Sequence, residues 1–200
     1  MSVAGVILAG GQARRMGGGQ KALLELKGRH LIGHVIARIT PQADPLALNV
    51  NTPHPAYDAL GLPQIADSVS GYPGPLAGIL SGLEWAALQE PAPDWLLSAP
   101  TDAPLLPDDL AERLIEAADR EDAEIAVATS GGRTHPVVAL WRVGLAAPLR
   151  QALVEDDVRK IDRFTAGRRT VHVEWDTAGG DPFFNINRPE DLAEAETILG

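Results

Sequence analysis

The chain has 200 residues, 45% hydrophobic and 22% charged, which suits a single globular domain over 1–200 with a full core. Its net charge of -10 argues against general nucleic-acid binding, and the lack of cysteine excludes disulfides, thiolate zinc sites and a cysteine nucleophile. The apolar start at Val3 is too short to span a bilayer and follows no basic residue, so neither a signal peptide nor an anchor is expected, and the protein is read as cytoplasmic.

Apolar runs alternate with stretches of helical period along the chain. Val3–Leu8 reads as a buried strand, and Leu31–Ile39 as a helix with Leu31, Val35 and Ile39 on one face. Pro45–Val50 is a second strand and Leu62–Ala66 a weaker third. Leu76–Leu88 has helical spacing, and Trp95–Ser98 is an apolar strand. Pro107 opens a helix through Leu110, Leu114 and Ile115. Ile125–Thr129 and Pro136–Trp141 are strands joined through Gly131 and Gly132. Two short helices, a strand at Thr170–Trp175 and a final helix from Pro189 complete the order. Such alternation predicts an α/β fold, a mostly parallel sheet with helices on both faces. The Gly/Pro-rich segment from Gly71 to Gly78 lies between a strand and a helix and reads as a site loop, not a domain boundary.

The densest chemistry lies directly after the first strand. Leu8 to Lys21 reads L-A-G-G-Q-A-R-R-M-G-G-G-Q-K. Glycines let backbone N–H groups approach a ligand, and successive N–H groups form a concave anion site. Arg14, Arg15 and Lys21 add positive charge in an acidic chain, which points to a phosphate ligand. This is not a P-loop, because Lys21 lies between Gln20 and Ala22, and it is not the G-x-G-x-x-G dinucleotide fingerprint.

Ligands of open α/β sheets bind beyond the carboxyl ends of the strands. Gly10 and Gly11 follow the first strand, Asn49 and Asn51 end the second, Asp67 follows the third, and Asp102 follows the fourth inside A-P-T-D-A-P. An isolated aspartate between prolines is ordinarily a turn or cap residue, but the strand-end position of Asp102 favours Mg²⁺, which takes one or two carboxylates plus substrate phosphates. Asn49 and Asp67 each fit a turn or cap as well as a ligand contact. In F-F-N-I-N-R-P-E-D-L, alternation puts Asn185 and Asn187 on one face of a strand, and Asn187 also suits the N-cap of the last helix. His135, in R-T-H-P, has no second ligand at metal spacing and suits a structural role or a substrate contact. Arg159 and Lys160 suit either an anionic substrate or a solvated helix face.

The loop L-A-G-G-Q-A-R-R-M-G-G-G-Q-K-A-L-L-E-L resembles the signature of the molybdenum cofactor guanylyltransferases, and the similarity continues in order through D-S-V-S-G-Y-P-G-P-L-A-G, P-T-D-A-P, R-T-H-P and N-I-N-R-P-E-D-L. The resemblance implies a three-layer α/β/α sandwich, a Rossmann-like nucleotidyltransferase fold. It implies transfer of GMP from GTP to the terminal phosphate of molybdopterin, with release of pyrophosphate. Leu8, Ala9, Gly10 and Gly11 would then lie against the guanine nucleotide, and Lys21 on its phosphates. Asn49 and Asp67 would contact the nucleoside, and Asp102 would bind Mg²⁺. Arg15 and Gly18 match positions linked with substrate binding or turnover. Asn185 and Asn187 match asparagines near the metal and the second substrate, with Arg159 and Lys160 as further candidates for that substrate. Lys21, Asp102 and Arg15 would carry the catalysis. The family usually has Asp before the lysine, where this chain has Gln20. The expected partners are GTP and Mo-molybdopterin, with molybdoenzyme chaperones as candidate proteins and a monomer or weak oligomer as the assembly.

Other readings predict different observations. A cytidylyltransferase on the same cofactor, which typically begins its loop L-A-A-G, or a sugar-phosphate nucleotidyltransferase would differ in base or acceptor. A non-catalytic delivery module would bind nucleotide without releasing pyrophosphate. A Rossmann dehydrogenase is disfavoured by the missing fingerprint.

Overall fold

The computed structural model describes residues 1–10, 20–71 and 74–199. Gly11, Arg14, Arg15 and Gly18, singled out above, lie outside the described residues. Among those described, the strands are β1 (Val3–Leu8), β2 (Glu25–Leu26), β3 (Arg29–His30), β4 (Leu46–Asn49), β5 (Gln64–Ile65), β6 (Trp95–Pro100), β7 (Ile125–Ser130), β8 (Arg133–Arg142) and β9 (Thr170–Trp175). The α-helices are α1 (Leu31–Ile39), α2 (Pro55–Asp58), α3 (Pro75–Ala87), α4 (Leu110–Arg120), α5 (Ala146–Val154), α6 (Ile161–Thr165) and α7 (Pro189–Ile198).

Seven strands form one sheet in the order β5-β4-β1-β6-β8-β7-β9. Every pairing in it is parallel except those of β8, which runs antiparallel to both β6 and β7. The reversal comes from a two-residue turn. Ser130 pairs with Arg133, and Gly131 and Gly132 both take positive φ (54° and 74°), the conformation that a tight hairpin needs and a side chain resists.

Strand alternation sends side chains to two helical layers. Val3 and Ile7 of β1, with Trp95, Leu97 and Ala99 of β6, pack under α1 and α4. Ala4, Val6 and Leu96 pack under α3, α5 and α6 on the opposite face. Helices on both faces of a mostly parallel sheet give the expected three-layer α/β/α architecture. The layer of α3 lies close to the sheet, because a Cβ on Gly82 would come 2.8 Å from Val6 Cγ1 and 3.0 Å from Leu96 Cδ2.

A third, smaller core joins the β2–β3 hairpin to α7 through Leu26, Leu31, Ile186 and Ala195. Neither that hairpin nor α2 stands out in the apolar pattern, since each is too short to show a period. The segment carrying Asn185 and Asn187 is also not a strand: it is irregular, although its alternation survives in burial, with Ile186 buried and both asparagines exposed. No helix among the described residues is long and apolar enough to cross a membrane.

Candidate functional site

The sheet's topology brings the strand-end residues together. β1, β4, β5 and β6 are consecutive parallel neighbours or connect through one another, so Ala9, Asn49, Asp67 and Asp102 emerge at a single edge. The backbone N–H of Ala9 donates to Asn49 O at 3.0 Å, which ties the start of the glycine-rich loop to the end of β4. Two groups form at this edge, one around Lys21 and one around Asp67.

Lys21 opens a short 3₁₀ turn, Lys21–Leu23, and its ammonium lies between two oxygens. Nζ donates to Asp102 Oδ2 and to Asn187 Oδ1, each at 2.6 Å. The Lys21 side chain is 11% exposed and that of Asp102 is 24% exposed, so solvent screens the pair less than it would a surface pair. Lys21, Asp102 and Asn187 come from three distant parts of the chain, as expected of an assembled site.

Asn187 is not the cap of α7, contrary to one expectation. The N-cap is Arg188, and the Asp191 carboxylate accepts from the backbone N–H of both Asn187 and Arg188, at 2.6 and 2.8 Å. Asp191 therefore satisfies the helix terminus and leaves the Asn187 amide for Lys21.

The second group is built on Asp67. Asn49 Nδ2 donates to Asp67 Oδ1 at 3.0 Å and to Ile65 O at 3.2 Å. Asn51 Nδ2 donates to Asp67 Oδ2 at 2.7 Å, and its Oδ1 accepts from the Asp67 N–H at 2.8 Å. Both carboxylate oxygens are thus held by amides, in a fixed orientation suited to accepting further N–H or O–H donors. Asn51 belongs to this group, although the sequence reading placed it only at a strand end. The following residue is anchored as well, since Ser68 N–H donates to Ser81 Oγ of α3 and Arg150 of α5 donates to Ser68 Oγ.

Gln20 stands at the position where the resemblance drawn from the sequence implies an aspartate. Its Oε1 accepts from the hydroxyl of Tyr57, a fully buried residue of α2, at 3.4 Å. Tyr57 was missed because α2 is a single turn. The signal for it was His54-Pro55: proline suits the first helical turn, and His54 Nδ1 accepts from the Ala56 N–H. Arg159 and Lys160 precede α6 instead of lying on a helix face. Arg159 bonds to Asp157 Oδ1 at 2.7 Å and to Gly71 O at 3.3 Å, which places it against the Gly71 loop.

His135 lies at the same edge, because antiparallel β8 begins where β6 and β7 end. It is buried, with Nε2 2.7 Å from Ser130 Oγ. Burial holds its pKa below the ordinary histidine value against the opposing charges of Asp181 and Glu174, with Arg133 lowering it further. A histidine whose folded pKa is depressed stabilises the fold above its unfolded pKa of about 6.5, and this contribution fades as pH falls through that value. Stability to urea is therefore expected to drop between pH 7.5 and 5.5, and less steeply in His135→Gln. An equal slope in both proteins would remove His135 as the cause.

Comparison with known proteins decides what this edge belongs to. The family model for the MobA-like NTP transferase domain matches residues 5–172. The molybdenum cofactor guanylyltransferase of Rhodopseudomonas palustris (strain BisB5) is 55% identical over 193 residues, covering 96% of this chain and 92% of that one. The chain belongs to the molybdenum cofactor guanylyltransferase family. It is a nucleotidyltransferase. A further guanylyltransferase of the family, from Bradyrhizobium sp. (strain ORS 278), is 50% identical, covering 98% of this chain and 93% of its own. Among solved structures, molybdopterin-guanine dinucleotide biosynthesis protein A from Archaeoglobus fulgidus superposes with a TM-score of 0.76 at 22% identity, covering 100% of this chain and 98% of its own. The 4-diphosphocytidyl-2C-methyl-D-erythritol synthase of Anaerococcus prevotii superposes with a TM-score of 0.74 at 13% identity, over 99% of this chain and 96% of its own. A guanine and a cytosine name thus stand on one fold, so the fold by itself does not select the base.

Proposed function

We propose that the chain, acting as one domain over 1–200, transfers GMP from GTP to the terminal phosphate of Mo-molybdopterin and releases pyrophosphate. The observation that carries this is the Lys21 ammonium held between Asp102 Oδ2 and Asn187 Oδ1 at the end of β6, in a chain of the guanylyltransferase family. Two oxygens that share a cation across this edge form a donor set suited to Mg²⁺ once substrate phosphates supply the remaining ligands. Mg²⁺, held by Asp102 and Asn187, would neutralise charge on the triphosphate.

The acceptor phosphate oxygen attacks the α-phosphorus of GTP, a new P–O bond forms, and the bond from the α-phosphorus to the bridging oxygen breaks. The nucleophile is already anionic at neutral pH, so no general base is required, and catalysis rests on positioning and charge. Lys21 stabilises the departing pyrophosphate, assisted by Arg15 from the glycine-rich loop. Leu8, Ala9, Gly10 and Gly11 line the nucleotide, while Asn49 and the doubly held Asp67 bind the nucleoside. Asn185, Arg159, Lys160 and Gly18 serve the second substrate. Gln20 supplies no charge to Lys21, whose anchor comes from Asp102 and Asn187, and its amide oxygen accepts from Tyr57 instead.

The test is pyrophosphate release with Mg²⁺ and molybdenum cofactor in the presence of GTP or CTP. Release with GTP and little with CTP is expected. Faster release with CTP would reverse the choice of base, and nucleotide binding without release would reject the transfer.

A further inference from the structure

Ser130 and His135, both buried, and the half-buried Asp181 form a polar group beside the site that the transfer chemistry does not use. Ser130, at the end of β7, is 1% exposed. Its hydroxyl donates to Asp181 Oδ1 at 2.8 Å. A serine has one hydroxyl proton, so the contact with His135 Nε2 at 2.7 Å requires the imidazole to be the donor. The arrangement therefore differs from a nucleophilic triad. Its carboxylate holds the serine and not the histidine, and the serine proton is committed to Asp181.

What the group does hold is the chain running back to Lys21. Asp181 Oδ1 also accepts from the Phe183 N–H at 2.9 Å. The buried Phe183 ring lies 4.8 Å from the His135 ring and stands perpendicular to Trp175 at 5.2 Å. Three residues on, the Ile186 N–H donates to Asp102 O at 2.9 Å, and its side chain fills the third core. The next residue is Asn187, whose amide oxygen meets Lys21.

We propose that Ser130 and Asp181 are positioning residues, which fix the 181–187 segment so that Asn187 holds Lys21 against Asp102. This deepens the reading of Lys21 as the phosphate ligand and rests on it.

The chain has three lysines, Lys21, Lys27 and Lys160, so acetylation by sulfosuccinimidyl acetate followed by mass spectrometry reports on Lys21 with two internal controls. In the wild type Lys21 should react more slowly than the other two. Asp181→Ala and Ser130→Ala should each accelerate Lys21 about threefold to tenfold, the worth of one hydrogen bond, and leave Lys27 and Lys160 unchanged. Asp181→Asn retains an oxygen that can accept from Ser130 and Phe183, and should restore protection. An unchanged Lys21 rate, or acceleration of all three lysines together as a loosened fold would give, overturns the proposal.

Pyrophosphate release separates this from the reaction itself. Asp181→Ala should lower kcat about tenfold with little change in KM for GTP, and should cost nothing further in an Asn187→Ala background. Additive losses overturn the coupling. Accelerated Lys21 acetylation in the two alanine variants, together with a wild-type protein that releases no pyrophosphate, would uphold the positioning and reject the transfer.

Discussion

Asp102→Ala should lower the rate of pyrophosphate release by about 10²–10³ while the protein stays folded, the loss typical of one electrostatic contact aimed at a transition state. The carboxylate follows β6 and presents an oxygen to Lys21 at 2.6 Å, while its backbone carbonyl accepts from Ile186 N–H. Alanine keeps the backbone bond and removes only the charge, so the third core retains its link to the sheet. The ion pair is partly exposed, and its loss should cost about 1 kcal/mol or less of stability. Asp102→Asn refines the test: its amide oxygen can still accept from Lys21 but carries no charge for a cation. Comparable losses in both variants would assign the effect to charge, and near-wild-type turnover in either would sink the role of Asp102 in binding Mg²⁺. Circular dichroism and Tm, unchanged within a few degrees, would exclude unfolding.

Much of this edge could be read from the sequence because strand ends are local. Six consecutive residues at Val3–Leu8, five of them buried, followed by Ala9 and then Gly10, specify both the strand and where it stops, and Leu31–Ile39 and Thr170–Trp175 fall where periodicity puts them. Asn49, Asp67 and Asp102 converge because β5, β4 and β6 form one parallel run with β1 between the last two, a consequence of βαβ alternation. Other features depended on contacts between distant residues, which periodicity does not encode. Nothing near Asn187 announces Lys21, 166 positions away. Nothing near Ser130 announces Asp181. The β2–β3 hairpin was overlooked for a different reason. Its strands are two residues each, and the turn signal in Lys27-Gly28, both at positive φ, was the only local mark.

Gly78→Ala should weaken GTP binding about tenfold to a hundredfold, although Gly78 carries no chemistry of its own. It lies in α3 where the helix crosses the end of β4, and a Cβ there would overlap Asn49 Oδ1 and stand 3.0 Å from Leu8 Cδ2. Asn49 is 4% exposed, and its amide is tied to Ile65 O and Asp67 Oδ1, so it has little room to yield without breaking those bonds. Displacing it would release one of the two amides that orient Asp67, and the new Cβ would press on Leu8 at the start of the glycine-rich loop. One or two lost hydrogen bonds, at about 1 kcal/mol each with more if a charge is involved, correspond to the expected loss of affinity. Overpacking also destabilises, typically by about 1–3 kcal/mol, so lower affinity alone would be ambiguous. Gly82→Ala supplies the comparison. It is one turn further along the same helix, and its Cβ would press on Val6 and Leu96 in the core, away from any nucleotide contact. Both variants should lose Tm, but only Gly78→Ala should lose GTP affinity by titration. Equal affinities in the two variants would show that α3 merely supports the sheet and that the Asn49–Asp67 pair does not depend on the glycine.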